Sequence, residues 1–255
     1  VKIVAIVQAR VGSSRLPGKV LLDLEGAPLI DRVINRVRAA DRVDEVWVAC
    51  PDGTRDDPLA AHCQSAGVSV ARGSETDVLS RFSLTASMAD ADVVVRVTAD
   101  CPLLDPAVID RVIGVLVDHQ PQVDYAANVL VRSYPRGLDT EVFTRSALER
   151  MNRLGRTPAA REHVTLGPRL EHRAHFVTRN VAVPGDDSDL RWTVDTAADL
   201  SFVRALYRAM RLGDRIGSYQ ETVDWCRAHP SIARGDDRGL TWEPIPTPDD
   251  GGAHG

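Results

Sequence analysis

Three cations fall close together near the start of the chain, Arg10, Arg15 and Lys19, within Gln8-Ala-Arg-Val-Gly-Ser-Ser-Arg-Leu-Pro-Gly-Lys19. Glycines let the backbone approach a ligand closely, and backbone N–H groups beside fixed cations form a cradle for phosphate. A nucleoside triphosphate carries about four negative charges, a fair match for two or three such cations. The spacing is neither that of a Walker A loop nor G-x-G-x-x-G. A basic surface loop, with Ser13 or Ser14 capping a turn and Pro17-Gly18 making another, fits the same residues equally well.

Two aspartates complement this loop. Asp100, in Thr98-Ala-Asp-Cys-Pro102, and Asp195, in Leu190-Arg-Trp-Thr-Val-Asp-Thr196, each follow an apolar run. A carboxylate at a strand end facing phosphates is a natural Mg²⁺ ligand, because Mg²⁺ takes one or two protein carboxylates and fills its shell with phosphate oxygens and water. The plainer reading is helix capping. Asp105 already serves that purpose before Pro106, whereas Asp195 or Thr196 could cap the helix that follows them. Arg72-Gly-Ser-Glu-Thr76 has backbone and short polar groups suited to a nucleobase, and Ser74 and Thr76 are equally good caps. Tyr134 to Phe143 and Arg161 to Thr165 mix cations, carboxylates and turn residues, enough to grip an anionic acceptor or to make surface salt bridges.

The elements that must position these residues alternate. Lys2–Val7, Glu45–Cys50, Val68–Ala71 and Asp92–Thr98 are apolar, β-branched runs that read as buried strands. Between and after them, Pro28–Arg38, Asp57–Ala66, Thr76–Met88 and Pro106–Val117 repeat apolar residues at helical spacing. Four strand–helix alternations predict a doubly wound, mostly parallel α/β sheet with right-handed crossovers. Ligands of such sheets bind beyond the carboxyl ends of the strands, which places the 8–19 loop and Asp100 on one edge. The second half is less regular. Val123–Asn128 and Asp139–Thr144 read as strands, and Ser146 as the cap of a helix over 147–154. Pro158–Leu170 holds a helical turn or two, and Phe176–Val183 and Leu190–Val194 read as strands able to pair. Helices follow over Asp195–Arg211 and Ser218–Ala228. The Gly-, Asp- and Pro-rich end, 231–255, is expected to be disordered.

Composition bounds the partners. The chain is 44% hydrophobic and 26% charged, which predicts a substantial core, and its net charge of −5 argues against general nucleic-acid binding. It has no run of about 18 apolar residues, so no membrane span is expected, and no signal-peptide pattern opens it. Cys50, Cys63, Cys101 and Cys226 are scattered, which reads as buried reduced thiols of a cytoplasmic protein rather than a disulfide framework or zinc site.

In order, Gln8–Lys19, Arg72–Leu79 (Arg-Gly-Ser-Glu-Thr-Asp-Val-Leu), Val95–Leu103, Tyr134–Phe143, Arg161–Thr165 and Val194–Thr196 resemble the motifs of the CMP-sugar-acid synthetases, and among them the spore-coat-polysaccharide type of cytidylyltransferase. The resemblance spans about residues 2 to 210. It implies a Rossmann-like nucleotidyltransferase domain over 1–230, with an acceptor and dimerisation portion inserted at about 125–190. It also implies CTP and Mg²⁺ as ligands, a small acidic acceptor and a homodimer. Arg10, Lys19 and Asp100 would be catalytic. Gln8, Ala9, Arg10, Gly12, Ser13, Arg15, Lys19, Gly73, Ser74 and Thr98 would bind nucleotide. Asn128, Arg136, Glu162 and His163 would bind the acceptor, and Asp100 and Asp195 the metal. Ala99 replaces the family's usual glycine and Thr98 its frequent glutamine, so contacts to base or acceptor can differ. Competing readings are transfer to a small phosphonate, a nucleotidyltransferase using another triphosphate on a sugar phosphate, and a non-catalytic, glycosyltransferase-like nucleotide-binding module.

Overall fold

The first strand, β1 (Ile3–Gln8), is buried along its length except at Gln8, as an apolar strand covered on both faces must be. The computed structural model describes residues 1–230. In chain order β1 is followed by α1 (Leu29–Arg38), β2 (Glu45–Pro51), α2 (Asp57–Ser65), β3 (Ser69–Gly73), α3 (Val78–Met88), β4 (Val93–Thr98) and α4 (Pro106–Val117). The second half adds β5 (Tyr125–Ala127), β6 (Glu141–Thr144), α5 (Arg145–Leu154), α6 (Pro158–Glu162), β7 (Thr178–Asn180), α7 (Ala197–Met210) and α8 (Tyr219–Ala228).

These strands form one seven-stranded sheet in the order β3-β2-β1-β4-β6-β5-β7. All pairings are parallel except those of β6, which runs antiparallel to β4 and to β5. The chain therefore winds outward from β1 to β3 and returns to β4 on the other side. This reversal makes the carboxyl ends of β1 and β4 the switch point at which such sheets bind ligands. In-register pairing of Gln8 with Thr98 sets the two ends level. The 125–190 portion contributes β5, β6 and β7 to the same sheet.

The core lies on both faces of the sheet. On one, Ala5, Val7, Val48, Val95 and Val97 pack with α1, α2, α4, α7 and α8. On the other, Val4, Ile6 and Val94 meet Val78, Leu79 and Phe82 of α3 and Leu148 and Met151 of α5. The inward-facing Val78, Leu79, Phe82 and Thr85 are buried, and so are Leu200, Val203, Leu206, Tyr207 and Met210 of α7. All four cysteines are buried and free. No described helix is long and apolar enough to cross a membrane. The tail expected to be disordered lies outside the described residues.

Several local expectations change. The cap of α5 is Thr144, whose hydroxyl accepts from the Ala147 N–H. β6 runs into the helix without a loop, so Ser146 is already helical. α3 begins two residues later than the sequence suggests, because the Asp77 carboxylate accepts from Ser80 and fixes the start. Asp105 caps α4 as expected.

Leu190–Val194 does not pair with β7. Its backbone lies instead against the Tyr134–Leu138 turn, through Arg136 N–H to Leu190 C=O at 3.0 Å and Trp192 N–H to Arg136 C=O at 2.6 Å. This close approach depends on Gly137, which has φ +109° and whose added Cβ would lie 2.8 Å from the Trp192 carbonyl carbon. Gly137→Ala is expected to destabilise the fold by about 2–4 kcal/mol, from combined backbone strain and overpacking. Urea unfolding reads this directly, and a midpoint equal to that of the parent would show that the turn relaxes freely.

Candidate active site

The loop leaving β1 is pinned at its base where the Val11 N–H donates to Asp56 Oδ1 at 2.7 Å. It ends in Gly18, which takes the left-handed conformation (φ 70°) and turns the chain into a short 3-10 segment, Lys19–Leu21. The turn drives the Lys19 side chain inward, leaving the residue 9% exposed. Its ammonium donates all three hydrogens, to Asp100 Oδ2 at 3.2 Å, Asp195 Oδ1 at 2.9 Å and the Val194 carbonyl at 2.7 Å. Asp100 and Asp195, far apart in the sequence, thus share one cation. The Val194 N–H donates to the Asp100 carbonyl at 2.8 Å and ties the two segments together.

The capping question at Asp195 resolves in favour of Thr196. Thr196 and Asp199 form a reciprocal capping box at the start of α7. That leaves the Asp195 carboxylate to Lys19, to Arg15 at 3.0 Å and to Arg191 at 2.8 Å. Burial pushes the Asp195 carboxyl up, but the Lys19 bond and the three cations prevail and hold it below the usual carboxylate range. Asp100 accepts a further bond on Oδ1, from the Thr98 hydroxyl at 2.6 Å. Thr98 therefore orients a carboxylate, a contact its position two residues earlier makes available.

These groups line a cavity of about 460 Å³ at the switch point. Gln8, Ala9, Arg10, Ser13, Arg15, Lys19, Thr98, Asp100 and Asp195 line it, and Glu162 and His163 line it from α6 and the residue that ends it. Gly12, Gly73 and Ser74 are half-exposed and do not line it: a Cβ on Gly12 would meet the Arg55 side chain, and the Ser74 hydroxyl accepts from the Asp77 N–H. Asn128 and Arg136 are not brought to the cavity. Asn128 is buried with both ends of its amide engaged, donating to the Leu138 carbonyl at 2.7 Å and accepting from Thr140 N–H at 2.9 Å. It thereby ends β5 earlier than its apolar run suggests. Arg136 is exposed, and its backbone pairs with 190–192.

The α6 wall is held by Arg161, which donates to both oxygens of Asp77 at 2.8 and 2.6 Å and to Asn152 at 2.7 Å. Burial raises the Asp77 carboxyl, but the Arg161 and Ser80 bonds outweigh it and leave it lowered. One carboxylate thus caps α3 and anchors α6, which carries Glu162.

Sequence reasoning missed two cavity arginines. Arg96 pairs in register with Glu141 across β4 and β6, donating to that carboxylate and, at 3.0 Å, to Gln8 Oε1; the buried Glu141 also accepts from the Tyr125 hydroxyl. The signal was a charge inside an otherwise apolar strand. Arg81 lies on the inward side of α3 and is 2% exposed. Among the described residues, neither Arg10 nor Arg81 has a carboxylate within ion-pair distance, while Arg15, Lys19 and Arg96 do.

Comparison with known proteins identifies the family and the fold. The family model described as cytidylyltransferase matches residues 4–212. The spore coat polysaccharide biosynthesis protein SpsF of Bacillus subtilis is 35% identical over 240 residues, 91% of this chain and 96% of that protein. A cytidylyltransferase structure from Leptospira borgpetersenii superposes with a TM-score of 0.86 at 28% identity, covering 94% of this chain and 99% of that one. The structure of a CMP:2-keto-3-deoxy-manno-octonic acid synthetase complexed with CTP gives a TM-score of 0.61 at 25% identity, covering 82% and 100%. With the sheet, its switch-point cavity and a family match over most of its length, the chain belongs to the cytidylyltransferase family.

Proposed function

We propose that the protein transfers CMP from CTP to a small acidic acceptor, a sugar acid of the nonulosonate or 3-deoxy-octulosonate type, and releases pyrophosphate. The observation that carries this reading is the pair Asp100 and Asp195, gathered on Lys19 beneath the Arg10–Arg15 loop. The CTP complex of a structural relative and the sugar-acid substrate in that relative's name support the choice of ligands.

The pair fits Mg²⁺. No cluster of three acidic, histidine or cysteine side chains able to hold a metal exists among the described residues, so the remaining ligands would be phosphate oxygens and water, as Mg²⁺ prefers. When bound, the ion supplies Lewis-acid polarisation of the α-phosphate. Arg10 and Arg15, on the loop, meet the charge that grows on pyrophosphate as the bond from the α-phosphorus to the bridging oxygen breaks. Lys19 holds the two carboxylates in place. An acceptor oxygen, entering from the wall of Glu162 and His163, forms the new bond to phosphorus in line with the leaving group, and its proton passes to solvent. A homodimer through the 125–190 portion belongs to the same proposal, since Val131, Leu170 and Val177 there are exposed apolar residues.

Pyrophosphate release with each of the four ribonucleoside triphosphates tests the reading, with 3-deoxy-octulosonate, a nonulosonate and a hydroxyalkyl phosphonate as acceptors. Release with CTP and a sugar acid, with the matching CMP conjugate in the mass spectrum, is the expected result. Activity confined to UTP, or a conjugate formed only with the phosphonate, would replace the nucleotide or the acceptor in the proposal.

A further inference from the structure

We propose that Arg81 reads the pyrimidine ring and sets a preference for cytosine over uracil; this rests on the cytidylyl-transfer reading above. The residue is 2% exposed and yet lines the cavity. Its guanidinium makes one hydrogen bond to protein, from Nη1 to the Ser74 carbonyl at 2.6 Å, and its Nε is buried without a partner. The end of β3 lies flush over its stem, where a Cβ on Gly73 would be 3.4 Å from Arg81 Cγ. A buried guanidinium without a counter-ion is costly in the fold. Burial pulls its pKa down, the Arg10 cation adds to that, and Asp56 and Glu75 oppose it more weakly. The packing leaves that cost uncompensated, which points to a ligand.

The surroundings select the part of the ligand. The phosphate pole lies at Arg10, Arg15, Lys19 and the two aspartates, and Arg10 is near enough to repel the Arg81 charge. Glu75, Thr76 and Val78, from the same β3–α3 junction as Arg81, share the cavity lining with it. A carboxylate there opposes phosphate, whereas Val78 offers an apolar contact to a ring face. A guanidinium has donors only, in a planar fork. Cytosine presents O2 and N3, both acceptors, to such a fork. Uracil presents O2 and an N3–H, so one donor would face another. The Glu75 carboxylate, which lines the cavity, is an acceptor suited to cytosine's exocyclic amine, which uracil lacks. Donor, donor and acceptor in that order form the edge that guanine offers cytosine.

Calorimetric binding of CTP, UTP and inorganic tripolyphosphate to the parent protein, Arg81→Met and Arg81→Lys tests this, with thermal midpoints recorded alongside. Arg81→Met is expected to weaken CTP binding about 100-fold, the scale of a charged hydrogen-bond pair, with UTP and tripolyphosphate changed less than about threefold. Arg81→Lys keeps the charge but not the fork and is expected to lose most of the CTP preference. The midpoint of Arg81→Met should not fall, since an unpaired buried charge is removed. Equal losses for CTP, UTP and tripolyphosphate would make Arg81 a phosphate ligand and overturn the proposal. A lowered midpoint with the CTP preference intact would make Arg81 a structural residue and overturn it as well. A parent protein that shows no preference for CTP would count against the cytidylyl-transfer reading itself. A parent that prefers CTP, with the preference kept in both variants, would sink only the role of Arg81.

Discussion

Asp195→Asn is expected to reduce CMP transfer by about a thousandfold at saturating substrates, the upper range for loss of one preorganised electrostatic group. The amide keeps the shape of the side chain but carries no charge. Lys19, Arg15 and Arg191, at 2.9, 3.0 and 2.8 Å from the carboxylate, would then face a neutral group. One of the two carboxylates assigned to Mg²⁺ is lost at the same time. The effect should fall on kcat more than on KM for CTP, because Arg10 and Arg15, the proposed triphosphate contacts, remain.

The pH dependence has a definite sign. The Asp195 carboxyl sits below its ordinary value in the folded protein, so it is ionised throughout the neutral range. Its contribution to stability is complete above the unfolded carboxyl pKa, about 3.9, and is lost only as pH falls through the lower folded value. Any acid limb of the rate profile near pH 5 to 6 must therefore belong to another group. Steady-state pyrophosphate release across pH tests both points. Turnover of Asp195→Asn within about tenfold of the parent would remove Asp195 from the active centre.

The second large effect concerns stability. Glu141 is buried between Arg96 and the Tyr125 hydroxyl, with side-chain exposures of 4% for Glu141 and 14% for Arg96. Glu141→Ala takes from the mostly buried Arg96 its carboxylate partner, and losses of a buried partner cost up to about 3–5 kcal/mol, less where one side of the pair meets the cavity. Tyr125→Phe removes one hydrogen bond and should cost about 1–2 kcal/mol. Arg96→Met with Glu141→Leu, which removes both charges, should recover most of the stability lost by Glu141→Ala alone. Urea unfolding of the three variants decides, and a single-variant loss below about 1 kcal/mol would mean that the pair is solvated.

How legible these features were in the sequence depended on range. β1, β2, β4 and the helices that follow them are local patterns: continuous β-branched runs and apolar residues at helical spacing. The edge they place Asp100 on follows from topology alone. Asp195 was visible as a strand-end acid, but its release from capping depends on the Thr196–Asp199 box, and its pairing with Asp100 on a lysine whose inward turn requires Gly18. Leu190–Val194 has the alternation of a strand and fails to pair as one because Gly137 opens a closer seat against the 134–138 turn. Asn128 and Arg136 sit within motifs and so drew attention, yet the first is consumed in backbone hydrogen bonds and the second lies outside the cavity. Arg81 and Arg96 carried a faint signal, a cation on an apolar face, and nothing in sequence told which partner each would meet.

The Lys19 junction also bears on how the molecule is made. Its two carboxylate contacts close chain segments of 81 and 176 residues. Loops of that size form late relative to local pairings, since their closure entropy must be met before the contact can repay it. While β1 to β4 assemble during synthesis, the lysine has at most one of its two acids. A nascent or truncated chain that ends before residue 195 would hold the 8–19 loop and most of the sheet and still lack half of the proposed active centre, so on that proposal competence arrives with one of the last segments to dock.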